Sequence, residues 1–154
     1  MLTNFKMVIE EAKKLGPVTV AVAAAQDREV LEAIKDANKL GLIKAILIGD
    51  ENLIQPIFDE LGLENCATII HEQDMDKAAL KAAETVHIGD AQILMKGLIN
   101  SSNFLRAALD KEIGLRSGKI LSHFAAFEIP GEKKLAFHSD GGMNIAPSLE
   151  EKKQ

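Results

Sequence analysis

The 154-residue chain has no tryptophan, no tyrosine and a single cysteine. One thiol, Cys66, cannot close an internal disulfide, so a reducing compartment, the cytoplasm, is expected. Without Trp and Tyr, six Phe are the sole aromatics, which removes most stacking platforms for single-stranded nucleic acid. Basic charge is also short: 18 Lys and Arg stand against 23 Asp and Glu, a formal net charge of -5. Broad attraction to nucleic acid or an anionic membrane is therefore not expected, and any anion chemistry must be local. No apolar run approaches the roughly 20 residues of a membrane-spanning helix. The opening "MLTNFKMVIEEAKKLG" is an acidic amphipathic helix rather than a signal peptide. No set of His, Cys and carboxylates has metal-ligand spacing, so no metal is expected. Cys66, in "LENCATIIH", is expected to begin a buried strand as an inert thiol.

The chain does hold 47% apolar and 27% charged residues, the balance of one soluble globular unit spanning 1–154. After Gly16–Pro17, "VTVAVAAA" (Val18 to Ala25) reads as a central parallel strand, apolar or small on both faces. A helix from Gln26–Asp27 carries Val30, Leu31, Ile34 and Ala37 in register and ends at Gly41. "KAILIGD" (Lys44 to Asp50) is a second strand, and the helix "ENLIQPIFDELGL" follows with Pro56 expected to kink or break its first turns. "ATIIHE" is a third strand, "DMDKAALKAAETVHIGDA" a third helix, and "AQILM" (Ala91 to Met95) a fourth strand leading to a helix with Phe104, Leu105 and Leu109. Strands alternating with such helices predict an α/β fold: a three-layer, mostly parallel sheet of βαβ units. The rhythm then changes. "KILSHFAAFEIP" and "KKLAFHSD" flank Gly131–Glu132 and predict an antiparallel hairpin with a tight turn near the C-terminal end. A short helix opening near Pro147–Ser148 has no apolar face long enough to dock, and the chain is expected to be the N-terminal portion of something longer.

Two constellations bear chemistry. In "ILMKGLINSSNFLRAAL", Lys96 and Gly97 follow a strand, and Gly97 lets a backbone N–H come close to a ligand. Asn100, Ser101 and Ser102 open a helix, with Arg106 four residues after Ser102 on the same face. A phosphate or carboxylate there meets the positive helix end, a guanidinium and an ammonium. The competing explanation is a capped helix with solvated Lys and Arg. In "FHSDGGMNIAP", Asp140 and Asn144 orient a ligand or else satisfy their own turn, the latter slightly favoured locally. His123, inside the expected strand "ILSHFAAF", reads more readily as a satisfied core histidine than as a functional group. Gln26–Asp27–Arg28, at the ligand edge of such a sheet, is a weak candidate for substrate contact.

The segments "VAVAAAQDREVLEAI", "KAILIGDENLI", "AQILMKGLINSSNFLRAAL", "GLRSGKILSHFAAFEIPG" and "LAFHSDGGMNIAPSLEEK" cover nearly the whole chain in order. Together they resemble the phosphate acetyltransferase/phosphate butyryltransferase family, most closely its butyryl branch. The resemblance implies a two-domain α/β architecture similar to isocitrate and isopropylmalate dehydrogenases, with the active site between domains and assembly as homo-oligomers. It also implies interconversion of acyl-CoA plus phosphate with acyl phosphate plus CoA, on butyryl or related short or branched chains. Coenzyme A is then a substrate, and no tightly bound cofactor is expected. Lys96, Gly97, Ser101, Ser102 and Arg106 resemble part of the phosphate or acyl-phosphate subsite, and His123, Asp140 and Asn144 match segments near the cleft. Family members are about twice as long. The aspartate that takes the thiol proton, and the serine and arginine that stabilise oxyanion charge, lie in their distal half, to which no segment here corresponds. From another class, a non-catalytic small-molecule-binding or oligomerising module on the same framework is the alternative.

Overall fold

The structure is a computed structural model and describes residues 3–153. The chain divides into two compact units, one of Gly16–Arg116 and one of the stretches up to Leu15 and from Ser117 onward. The second unit supplies helix α1 (Phe5–Leu15). The first contains β1 (Val18–Ala23), α2 (Arg28–Lys39), β2 (Ile43–Gly49), α3 (Glu51–Leu61), β3 (Ala67–His71), α4 (Met75–His87), β4 (Ile93–Lys96) and α5 (Ser101–Ala108). The second unit then resumes with β5 (Phe124–Phe127), β6 (Ala136–Ser139) and α6 (Leu149–Lys152).

In the Gly16–Arg116 unit the four strands are all parallel, in the order β3-β2-β1-β4. The alternation in "VTVAVAAA" explains how both faces of β1 are filled. Val20 and Val22 pack with Leu31 and Ile34 of α2 and with Ile54 and Phe58 of α3. Ala21, Ala23 and Ala24 pack instead with Ala78, Ala79 and Ala82 of α4 and Ala107 of α5. Alanine on both sides of that second contact brings helix and sheet close together. Every one of these side chains is buried, and each fully buried Leu, Ile or Phe contributes about 1.5–3 kcal/mol of transfer free energy. Helices on both faces of a parallel sheet give the three layers expected.

The chain steps outward from β1 to β2 and β3, then returns through α4 to place β4 on the other side of β1. The strand order thus reverses between β1 and β4, which is where open α/β sheets bind ligands. β4 begins two residues later than expected. The Gln92 amide oxygen accepts from Thr19 N (2.9 Å), so a side chain occupies a place that a backbone rung would take. Helix α3 runs through Pro56, so of the expected kink or break the break does not occur. Cys66 is buried in the turn entering β3, and burial raises its thiol pKa.

In the other unit β5 and β6 pair antiparallel, with Phe124 opposite Ser139 and Phe127 opposite Ala136. A tight turn does form there, Glu132 N donating to Ile129 O (3.0 Å) with Gly131 at φ 89, but the strands stop short of it and the whole connection spans residues 128–135. Pro130 and Gly131 occupy the two central positions of that turn, and the ladder ends at Phe127 and Ala136. His123 stands just before β5 and is exposed, which overturns the core-histidine reading. At α1, Phe5 N donates to Glu128 Oε2 (2.7 Å), tying the helix start to the end of β5. Helix α6 opens with a capping box between Ser148 and Glu151.

Candidate phosphate site at the strand-order reversal

The first two helices after β1 and β2, and the one after β3, each begin behind an aspartate cap at the C-terminal edge of the sheet. Asp27 accepts from Val30 N (3.1 Å) and Asp50 from Asn52 N (3.0 Å). Asp74 accepts from Asp76 N (2.9 Å) and Lys77 N (3.0 Å). Each cap sets a negative group on the positive end of its helix, satisfying orphan donors and the dipole together. Helix α5 differs. Its cap is Asn100, whose Oδ1 accepts from Asn103 N (2.8 Å) and from Ser102 Oγ (2.8 Å). A neutral cap leaves the positive end of this helix uncancelled by its own cap. One carboxylate does come near, since Asn103 Nδ2 donates to Asp76 Oδ1 (2.7 Å).

The backbone leading into α5 is held hard against the end of β1. Gly97 N donates to Ala23 O (2.8 Å) and Leu98 N to Ala24 O (2.7 Å). A Cβ on Gly97 would lie 2.3 Å from Ala24 O and 2.8 Å from Ala23 O, so no other residue fits without moving backbone. Ala24 itself has φ 54, a left-handed conformation unusual for a residue with a side chain. The close approach expected of Gly97 is therefore real, but its partner is β1. Lys96 Nζ folds over this loop and donates to Ile99 O (2.9 Å) and Gly97 O (3.3 Å). No carboxylate partners it among the described residues.

Ser101, Ser102 and Arg106 are all exposed on α5. Ser102 and Arg106, four residues apart within one helix, share a face. Among the described residues Arg106 makes no ion pair, unlike Arg28, which is clamped between Glu32 (3.0 Å) and Glu60. The Arg28 guanidinium is held firmly charged by that pairing with Glu60, and Asp27 is spent on capping. Of that weak candidate trio only Gln26 remains, its Oε1 buried without a hydrogen-bond partner among the described residues. Lys96, Gly97, Ser101 and Ser102 thus sit at one strand-to-helix junction, and Arg106 lies further along, in the last turn of α5.

Asp140, Asn144 and His123 come together in the other unit. Asp140 N donates to His123 O (2.7 Å), and the Asp140 carboxylate accepts from Met143 N (3.1 Å), Asn144 N (3.2 Å) and the Asn144 side chain. Asn144 Nδ2 also donates to Leu121 O (2.9 Å). The Asn144 side chain, chiefly, holds the Asp140 carboxyl below its ordinary pKa. The loop satisfies itself, as the turn explanation anticipates, while His123 contributes its carbonyl rather than its imidazole. A cavity of about 710 Å³ beside it is lined by Lys119, Ser122, Ser139, Asp140, Asn144 and Lys152, of which sequence reasoning had singled out two. Among the described residues no group of His, Cys, Asp and Glu is placed to hold a metal, and no helix is long and apolar enough to cross a membrane.

A model of the phosphate acetyl/butaryl transferase family matches residues 66–154, more than half of the chain. The chain belongs to that family. Phosphate butyryltransferase of Clostridium acetobutylicum is 45% identical over 99% of the chain, which covers 51% of that protein. The Clostridium beijerinckii phosphate butyryltransferase is 40% identical with the same coverage. Among solved structures, a branched-chain phosphotransacylase from Enterococcus faecalis superposes with a TM-score of 0.71 at 34% identity, over 85% of this chain and 45% of that one. A Streptococcus pyogenes phosphotransacetylase shares the fold, with a TM-score of 0.73 at 16% identity over 97% of this chain and 55% of that one. The chain spans about half the length of the curated phosphate acetyl/butaryl transferases it matches.

Proposed function

We propose that this chain forms the phosphate-holding part of a phosphate acyltransferase, which interconverts an acyl-CoA and phosphate with an acyl phosphate and CoA. The observation that carries the reading is helix α5: a neutral cap, two exposed serines and an arginine with no ion pair among the described residues, beside the reversal in strand order. Arg106 offers a planar fork to two phosphate oxygens, and the Ser101 hydroxyl donates to another, joined by Ser102 once its proton leaves Asn100 Oδ1. Lys96 supplies a second positive charge once it leaves its backbone carbonyls. Gly97 acts indirectly, by setting the path of the loop. In the synthetic direction phosphate attacks the thioester carbonyl and CoA leaves as thiolate; in reverse the thiolate displaces phosphate from the acyl phosphate. The names of the clostridial and enterococcal relatives favour butyryl or branched short chains. Coenzyme A is a substrate in this reading, with no resident cofactor or metal, and the working form is a cytoplasmic homo-oligomer. Asp140, Asn144 and His123 are assigned to substrate binding by the family resemblance alone. The base that deprotonates the CoA thiol belongs to chain beyond the segments found here.

In a full-length counterpart, Arg106→Ala should raise the KM for phosphate at least tenfold while leaving the KM for acyl-CoA nearly unchanged. A wild-type phosphate dependence would sink the assignment. Arsenolysis of butyryl-CoA by the 154-residue chain alone should be negligible, and robust thiol release would refute the claim that its base lies elsewhere.

A further inference from the structure

The turn that leaves β1 is gripped from both sides. Ala24 holds its left-handed φ of 54, and Asp27 N donates to Ala25 O (2.8 Å), closing a tight turn around Gln26. On the β4 side, Gly97 makes the room that Ala24 O occupies. On the β2 side, Ala25 N donates to Ile48 O (3.0 Å), and a Cβ on Gly49 would lie 2.3 Å from Gln26 Oε1. The glycine that ends β2 is therefore shaped around the Gln26 side chain, as Gly97 is shaped around the backbone beside it.

That side chain does little for the fold. Gln26 Oε1 is the only buried side-chain nitrogen or oxygen without a hydrogen-bond partner among the described residues. An orphaned acceptor carries a desolvation penalty that an apolar side chain of the same shape would not. Its Nε2 is also without a hydrogen bond among the described residues. Left-handed backbone at an alanine and an unpaired amide beside it are costs that stability does not explain, and such costs gather where ligands bind.

The position of the turn says which ligand. The loops after β1 and β4 flank the reversal in strand order, and they are joined directly, Leu98 N donating to Ala24 O (2.7 Å). In the first of these loops Asp27 is spent on its cap, and Arg28 beyond it on Glu32 and Glu60, which leaves the amide. We infer that Gln26 is a further substrate-binding residue, its Nε2 donating to an oxygen of phosphate or acyl phosphate held at α5. The inference rests on the phosphate-site reading above. Presenting the nitrogen is what leaves the oxygen turned against Gly49, and that seat fixes the amide before the substrate arrives.

The test uses a full-length counterpart with glutamine and glycine at these two positions. Gln26→Met keeps the length of the side chain and removes both polar atoms. Its thermal unfolding midpoint should rise, because the orphaned acceptor is gone. Its KM for phosphate should climb about tenfold, the loss expected for one hydrogen bond to a charged group, with the KM for acyl-CoA nearly unchanged. Gly49→Ala, which pushes the amide aside from β2, should also raise the KM for phosphate, and should add nothing once Gln26→Ala has removed the amide. A wild-type KM for phosphate in Gln26→Met overturns the inference. So does a rise matched in the KM for acyl-CoA, or one accompanied by a lower unfolding midpoint, since either marks the amide as structural. If Gln26→Met does not fold, Gln26→Glu decides, because it keeps the shape without the donor; normal phosphate dependence there overturns the inference. Arg106→Ala separates the two readings. Its failure to raise the KM for phosphate refutes the proposed site at α5, whereas silent Gln26 variants beside an impaired Arg106→Ala refute only the part given to Gln26.

Discussion

The Gly16–Arg116 unit closes its sheet between two helical layers, while the unit of β5 and β6 leaves its phenylalanines in solvent. Each strand of the parallel sheet is followed by a helix that packs on the sheet, though not always on the strand it follows: α4 comes after β3, yet its alanines pack against β1. Between β5 and β6 there is only a loop, and the flanking helices are α1, far off in sequence, and α6, a single turn. A βαβ stretch carries its own cover; a hairpin must receive it from elsewhere.

The sharpest way to break this contrast is to truncate one apolar side chain in each unit. Leu47→Ala, at a fully buried site on β2, should cost about 2–5 kcal/mol in denaturant unfolding, because it leaves a cavity among side chains that cannot collapse to fill it. Phe137→Ala, on the exposed ribbon, should leave that transition nearly unmoved although it removes more atoms. Comparable losses would mean that the ribbon is packed as tightly as the sheet.

Gly97→Ala comes next. It should destabilise by roughly 1–3 kcal/mol, as forced overpacking does, since the added carbon meets the backbone oxygen of Ala24 at 2.3 Å. The same change at Gly142, where a Cβ has open space, should be far milder. Equal midpoints for the two variants would remove the steric account of Gly97.

The cap of α5 offers a smaller and more selective effect. Asn100→Ala should cost about 1 kcal/mol, as loss of a helix cap does. Asn100→Asp should keep the stability but place a carboxylate where phosphate is proposed to sit, lowering phosphate affinity in a full-length counterpart. Unchanged phosphate affinity in the aspartate variant would argue that the neutral cap has no part in anion binding.

How far the sequence alone reached follows the same division. The parallel sheet was readable because hydrophobic periodicity and local helix punctuation both lie within a few residues of what they specify. "VTVAVAAA" already contains the assignment of valines to one face and alanines to the other. The hairpin was read too long because periodicity in "ILSHFAAF" does not reveal where the ladder begins and ends, and the same pattern placed His123 inside a core that the ribbon lacks. At the site, Ser102 and Arg106 were legible from helical spacing. Invisible were contacts between distant segments: the embrace of Gly97 by Ala23 and Ala24, and the folding of Lys96 onto Ile99. The break allowed for at Pro56 does not occur, and buried Ile54 and Phe58 flank the proline within α3.

The gentlest probe lies in the loop after β6. The Asp140 carboxyl is held below its ordinary 3.8, first by the Asn144 side chain and also by the amides of Asn144 and Met143. A depressed pKa means the fold favours the ionised form. Its contribution is therefore fully present above the ordinary aspartate value and is lost as pH falls through the lowered one. Because the carboxylate is open to solvent, the global stability of the chain should barely register this titration. The local signal should be plain: carboxyl carbon NMR should find Asp140 titrating below the range of an unstructured aspartate. In Asn144→Ala the midpoint should climb back toward 3.8, since the largest cause is gone. A midpoint unmoved by that substitution would show that the loop is not held by this pair, and that the ribbon's end is as loosely organised as its phenylalanines are exposed.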